Sequence, residues 1–338
     1  MIKHFALTSV AAAAFCTAMV GVAQAAPTVL VASQKLPLCS NFPVIISNPG
    51  SYQLGSNFVV PCDKDAFDIR ADNVVLDLGG YSIIGQGGSG SGAGVSGSTH
   101  SNITVKNGSV INMPGSGILL GTNASVFDVT VSGSGDGPGI EIQNGTVRHV
   151  QSTGNDGDGI EASSGSASSI IADSNAGSND DDGIAAISAT ITGNTATSNT
   201  NDGIECSSTC TVSNNTTRTN NVTGIFVLSG VVSNNTSVNN LEDGIDGTGQ
   251  ITDNTVILNG GAGIAAEGSM SVINNTIGSN GGLGLDSSAS TASPTIIGNN
   301  NFYLNDESTS GGHAQTSPSA ILITPNVCDG SIKTTQPC

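Results

Sequence analysis

Carboxylates recur in this chain at spacings that suit acid–base chemistry or a hard cation. The segment NDGDGIE at 155–161 is followed by NDDDGIA at 179–185 and then by Asn201-Asp202-Gly203. Each acidic run precedes a Gly and an apolar residue. With that apolar residue as position zero, Asp158, Asp182, Asp202 and Asp243 share position −2. Glu141, Glu161, Glu205, Asp246 and Asp286 share +1, and Asp136, Asp156 and Asp180 share −4. Two carboxyl groups, one protonated and one ionised, can hydrolyse a glycoside. Asp-rich turns with Gly can instead supply the several oxygens that calcium needs, with Asp156, Asp158 and Asp180 as ligands. A third reading is solubility, with acidic turns keeping an aromatic-poor protein dispersed.

Bases are scarce. Arg148 and His149 fall one repeat from the acid cluster and are the basic pair available for proton abstraction, as a lyase requires. Surface Arg more commonly forms an ion pair. Phe226 interrupts the +1 acidic column and is a candidate platform for a sugar, beside Glu141, Glu161 and Glu205 as substrate-binding carboxylates.

The elements that must carry these residues follow from periodicity. Gly followed by an apolar residue recurs ten times from Gly94-Val95 to Gly284-Leu285, at steps of 19 to 24 residues. In phase with it, an apolar residue stands three positions before Asn-Thr at Ile191, Val212, Val232, Ile251 and Val272. Five residues after each of those asparagines comes another: Asn199, Asn220, Asn240, Asn259 and Asn280. Period-two alternation within each unit predicts short strands. A single unit of about twenty residues cannot bury its apolar face, so units must stack. The density of Gly, Asn, Ser and Thr excludes long helices. Asn tolerates left-handed turns, and its amide can bond to the same amide one coil away. Many of these asparagines also begin N-x-S/T sequons, which the repeat explains without glycosylation. The irregular 24-residue step contains Asp180–Asp182, and extra residues in one coil often build a site.

This pattern resembles the pectate-lyase-like superfamily of right-handed parallel β-helices over roughly 66–305, including the segment NVVLDLGGYSIIG at 73–85. The resemblance implies an all-β, single-stranded parallel β-helix of about ten to eleven coils. Within it, polygalacturonases carry Asn-Thr-Asp-Gly and then Asp-Asp about one coil later. Asp158-Gly159 matches part of the first motif and Asp181-Asp182 the second. Asp158, Asp181 and Asp182, with Arg148 as the alternative base, are therefore the candidate catalytic residues. The family's later Gly-His-Gly and Arg-x-Lys motifs have no counterpart here, since Arg218 stands alone. The superfamily hosts many activities, so fold does not fix function.

Residues 1–25 read as a secretory signal peptide, with an apolar stretch running into Ala23-Gln24-Ala25. No later stretch approaches the length of a membrane span. Six cysteines then remain, and an even count in an exported chain favours disulfides. Neighbours in sequence suggest Cys39–Cys62, Cys206–Cys210 and Cys328–Cys338, with a metal site on Cys206 and Cys210 as the alternative. Residues 26–65 and 306–338 would cap the two ends of the stack, shielding open strand edges. No Trp and 3% aromatics would starve a globular core but suit a thin stacked one. A net charge of −18 argues against nucleic acid as a partner. The expectation is a secreted or periplasmic β-helix that binds or processes extracellular polysaccharide, with calcium as the assisting cofactor. The alternative is a non-catalytic structural or adhesive surface solenoid.

Overall fold

The computed structural model describes residues 27–30, 38–165, 168–288 and 295–305, together with 316, 320–323, 325–328 and 331–333. The expected signal peptide and most of the expected C-terminal cap lie outside the described residues. Among the described residues, regular structure is strand throughout apart from a single 3-10 turn at Cys39–Asn41. None of it forms a helix long and apolar enough to cross a membrane.

Three short strands make one coil. In the coil that starts at Ile184 they are Ile184–Ala186, Ala189–Thr192 and Thr195–Thr197. Each pairs in parallel register with its equivalent one coil on, so that Ile160, Ile184, Ile204 and Ile225 form a column. Three parallel sheets result, named first, second and third in the order the chain visits them. Position zero points inward: Ile140, Ile160, Ile184, Ile204, Ile225, Ile245 and Ile264 are all 0% exposed. Position +1 points outward and is half-buried, as Glu161 and Glu205 show. Burying each of these isoleucines stabilises the stack by about 1.5–3 kcal/mol.

The first sheet holds twelve described strands, from Val44–Ile46 to Leu285–Asp286, against the ten to eleven coils expected. Pairing reaches back beyond residue 66, with Val44 opposite Phe67 and Thr28 opposite Tyr52. Those early coils carry Pro43 and Ala66 where later ones carry Gly, which hid them from the periodicity. The reason for Gly at that position is steric. A Cβ on Gly183 would sit 2.5 Å from the Asn199 amide nitrogen and 2.6 Å from the Gly203 carbonyl oxygen.

Both asparagine series form buried ladders. Asn155, Asn179, Asn199, Asn220, Asn240, Asn259, Asn280 and Asn305 are linked by amide Nδ2 to Oδ1 bonds of 2.8–3.0 Å. The second runs from Asn194 through Asn215, Asn235, Asn254, Asn275 and Asn300 to Asn326. Each rung also accepts a backbone N–H from the coil before it, which satisfies amides that stacking would otherwise strand. The sequon asparagines Asn215 and Asn235 are 1% exposed and spend their amides in this way.

Disulfides join Cys39 to Cys62 and Cys206 to Cys210. The second straddles a register shift between Cys206 and Thr209 and consumes the two thiols that a metal would have needed. Cys338, the expected partner of Cys328, lies outside the described residues.

Candidate functional site

The first sheet's outer face carries a cleft of about 330 Å³ lined by Asp158, Glu161, Asp181, Asp182, Glu205 and Ser207, among others. Its walls come from three consecutive coils. Asp158 and Asp182 occupy the turn that feeds the first sheet, while Glu161 and Glu205 project from the strands themselves. Carboxylate oxygens of Asp158, Asp181 and Asp182 lie within 4.8 Å of one another. The three residues selected by motif are thus brought together.

Backbone amides fix the −2 carboxylates. Asp182 N–H donates to Asp158 Oδ1 at 3.0 Å, Asp202 N–H to Asp182 Oδ1 at 2.8 Å, and Thr223 N–H to Asp202 Oδ1 at 2.7 Å. Each aspartate therefore satisfies the amide of the equivalent residue one coil on. Asp65 does the same for Ala93 and Asp243 for Ala262, far from the cleft. This structural duty leaves each carboxyl's second oxygen for other work. Asn201 Nδ2 donates to Asp181 Oδ1 at 3.2 Å, holding the exposed member of the trio.

Burial and crowding keep protons on this cluster. Desolvation, then the charge of Asp181, pushes Asp158 up to about 7. Asp182, 3% exposed, is pushed up to about 9 by burial first, then by donating its carboxyl proton to Glu205, then by Asp158. Asp202 is raised to about 6 by burial and by Glu205 and Glu242. Burial also raises Glu141 and Glu161. Among the residues lining the cleft no cation offsets these charges. A divalent ion would. Oxygens on opposite sides of calcium at about 2.4 Å each stand roughly 4.8 Å apart, so the trio fits one coordination sphere with the half-open cleft supplying water.

Other expected site residues are distributed differently. Asp156 and Asp180 are exposed, next to the buried ladder asparagines, and stand outside the converging trio. Arg148 ends the second-sheet strand Gly145–Arg148, opposite Phe127 and Ala172, on another face from the cleft. Its neighbour His149 lies near Asp128 and Asp173. Phe226 is half-buried in the +1 column, in register between Glu205 and Asp246. Glu141 lies one rung below Glu161. The longer step does not enlarge the Asp-rich turn. Six residues separate Thr197 from Ile204, and the same number separate Gly177 from Ile184. The extra chain lies between Ala162 and Ser169, where the next coil passes directly from Ala186 to Ala189 with two residues between. Ser163, at the start of that insertion, lines the cleft. Sequence reasoning did not pick out Ser207 or Asn201; Asp202 was visible in the −2 column but was not singled out.

The chain matches the family model described as a right handed beta helix region at residues 92–241 and 190–302. A comparison with curated proteins gives no match. Among solved structures, the A-module of mannuronan C-5 epimerase AlgE4 from Azotobacter vinelandii is similar at 15% identity and a TM-score of 0.44, over 83% of this chain and 87% of that one. The periplasmic alginate epimerase AlgG follows at 13% identity and 0.36, over 82% and 76%. Dettilon tailspike protein gives 13% identity and 0.36, over 88% and 60%. With the family model covering well over half of its length, and three parallel sheets stacked coil on coil, this chain belongs to the right-handed β-helix family.

Proposed function

We propose that the acidic cleft is the site at which this β-helix engages and hydrolyses an extracellular polysaccharide. The observation that carries this reading is the convergence of Asp158, Asp181 and Asp182 within 4.8 Å, with two of the three holding protons near neutral pH. General acid catalysis of glycoside cleavage needs a carboxyl still protonated at working pH beside one that can act as base or nucleophile. Asp158, half-exposed and raised to about 7, is the general acid; Asp181, exposed on the opposite wall, is its partner. Asp182, hydrogen-bonded to Glu205, acts as a positioning residue. A lyase step is disfavoured because, among the described residues, no Lys, Arg or His lines the cleft to serve as its base. Two disulfides accord with an oxidising compartment such as the periplasm or cell exterior.

The same trio also fits calcium, which would bridge the cleft to a polymer carrying its own carboxylates. Calcium and the raised proton affinities compete for the same oxygens, so cation binding strengthens as pH rises. A structural role, the second reading, is favoured by the repeated use of −2 aspartates to satisfy backbone amides. Incubation with neutral and acidic polysaccharides, with calcium and with chelator, separates these readings. Chain scission that declines above about pH 7 and vanishes in Asp158→Asn supports hydrolysis. Intact polymer across the whole panel rules out hydrolysis at the cleft, and the further absence of calcium-dependent retention on any polymer leaves the cleft a structural role.

A further inference from the structure

The second bend of the coil, between the second and third sheets, carries a larger groove of about 600 Å³ on a different face from the acidic cleft. Three consecutive coils place Asp128, His149 and Asp173 at its rim, all with left-handed backbone at φ of 56°, 51° and 51°. Elsewhere in this column the position holds Gly193, Asn214, Asn234, Asp253 and Asn274, residues suited to that conformation. His149 Nδ1 stands 3.6 Å from Asp128 Oδ1, and Nε2 stands 3.8 Å from Asp173 Oδ2. The two nitrogens thus face carboxylates on opposite sides. The three groups do not converge on a point, which excludes one shared metal ion. Instead the two ring nitrogens face the coils on either side of His149.

The groove floor is a row of uncharged polar side chains, one per coil. Thr130, Gln151, Asn175 and Thr195 lie in direct register, and Thr216, Thr236, Thr255 and Thr276 continue the row. Gln151 and Asn175 are exposed, and among the described residues neither side-chain amide has an intramolecular hydrogen-bond partner. Donors and acceptors therefore repeat at the strand spacing of about 4.8 Å. That spacing is comparable with the advance of one residue in an extended sugar polymer. The rim carboxylates accept hydroxyl protons but repel anions.

We propose that this groove binds a neutral, hydroxyl-rich polysaccharide lying along the solenoid axis, with Gln151 and Asn175 as the principal hydrogen-bonding residues and the His149 ring as a wall. The site stands independently of chemistry in the acidic cleft. The test uses the mature chain with labelled histidine and side-chain amides, titrated with hexasaccharides of β-1,4-linked glucan, mannan and galactan, and with polymannuronate. At least one neutral hexasaccharide should shift the His149, Gln151 and Asn175 resonances. Gln151→Ala/Asn175→Ala should weaken that binding about tenfold or more, the loss of about 1.4 kcal/mol, and His149→Asn, which suits the left-handed backbone, should weaken it too. Asp158→Asn, which disables the proposed chemistry of the cleft, should leave the shifts in place. Silence with all three neutral sugars, a response to polymannuronate alone, or unchanged affinity in the double variant each overturns the proposal.

Discussion

At the residue scale, the cleft aspartates make the fold sensitive to pH in a defined direction. Asp158 and Asp182 are raised to about 7 and about 9, above the ordinary value of 3.8 they have once unfolded. Between those limits the folded chain binds more protons than the unfolded chain, so stability falls as pH rises through this window. Asp182→Asn keeps an oxygen for the Asp202 amide but carries no charge to bury. Its melting temperature should therefore match or exceed that of the parent at about pH 8, and the advantage should shrink toward about pH 4. A variant that melts lower than the parent at both values would contradict the buried-proton account. Calcium should raise the melting temperature of the parent more at about pH 8 than at about pH 5, because fewer protons then occupy the cleft oxygens. Asp181→Asn should blunt that gain, and calorimetry of calcium binding to the two proteins checks it directly.

At the element scale, stability resides in columns that run across coils. Asn235 donates to Asn254 Oδ1 and to the Val212 carbonyl, and its own Oδ1 accepts two donors from Asn215. Asn235→Ala strands several buried polar groups at once and should cost about 3 kcal/mol or more, measured by denaturant unfolding. Ile204→Ala removes one rung of the inner column and should cost about 2–5 kcal/mol. The ladder was legible in the sequence because identical residues recur at the coil period, and the inner column because Gly-Ile recurs with it. The −2 aspartates were legible as a column, but not in their bonding. An acidic residue before Gly reads equally well as a ligand, an acid or a solvated turn. Only the backbone of the following coil shows that one of its oxygens is already committed.

At the scale of the whole molecule, twelve first-sheet strands at about 4.8 Å spacing give a stack roughly 55–60 Å long. Small-angle scattering should report an elongated particle, and far-UV circular dichroism should show strand without appreciable helix. Because each coil touches chiefly its neighbours, Ile204→Ala should broaden the unfolding transition more than a substitution in the terminal coils does. The Cys206–Cys210 bridge closes a very short loop and removes little chain entropy, so its reduction should lower the melting temperature only slightly. A large loss would mean that it holds the first-sheet edge beside Glu205.

Period, inward aliphatics and asparagine turns were determined by the sequence alone, because stacking a repeat on itself turns spacing directly into position. Tertiary structure decided which outward groups meet. Step lengths differ between coils, and only the folded chain shows that the extra residues near Asp158 enter at 163–168 and leave the Asp-rich turn unchanged. It likewise decided that Asp158, Asp181 and Asp182 converge while Asp156 and Asp180 stay in solvent, and that His149 sits between Asp128 and Asp173. The partners on different coils lie more than twenty residues apart in the chain. Their distance is set by the register of neighbouring coils, a quantity that no short stretch of sequence contains.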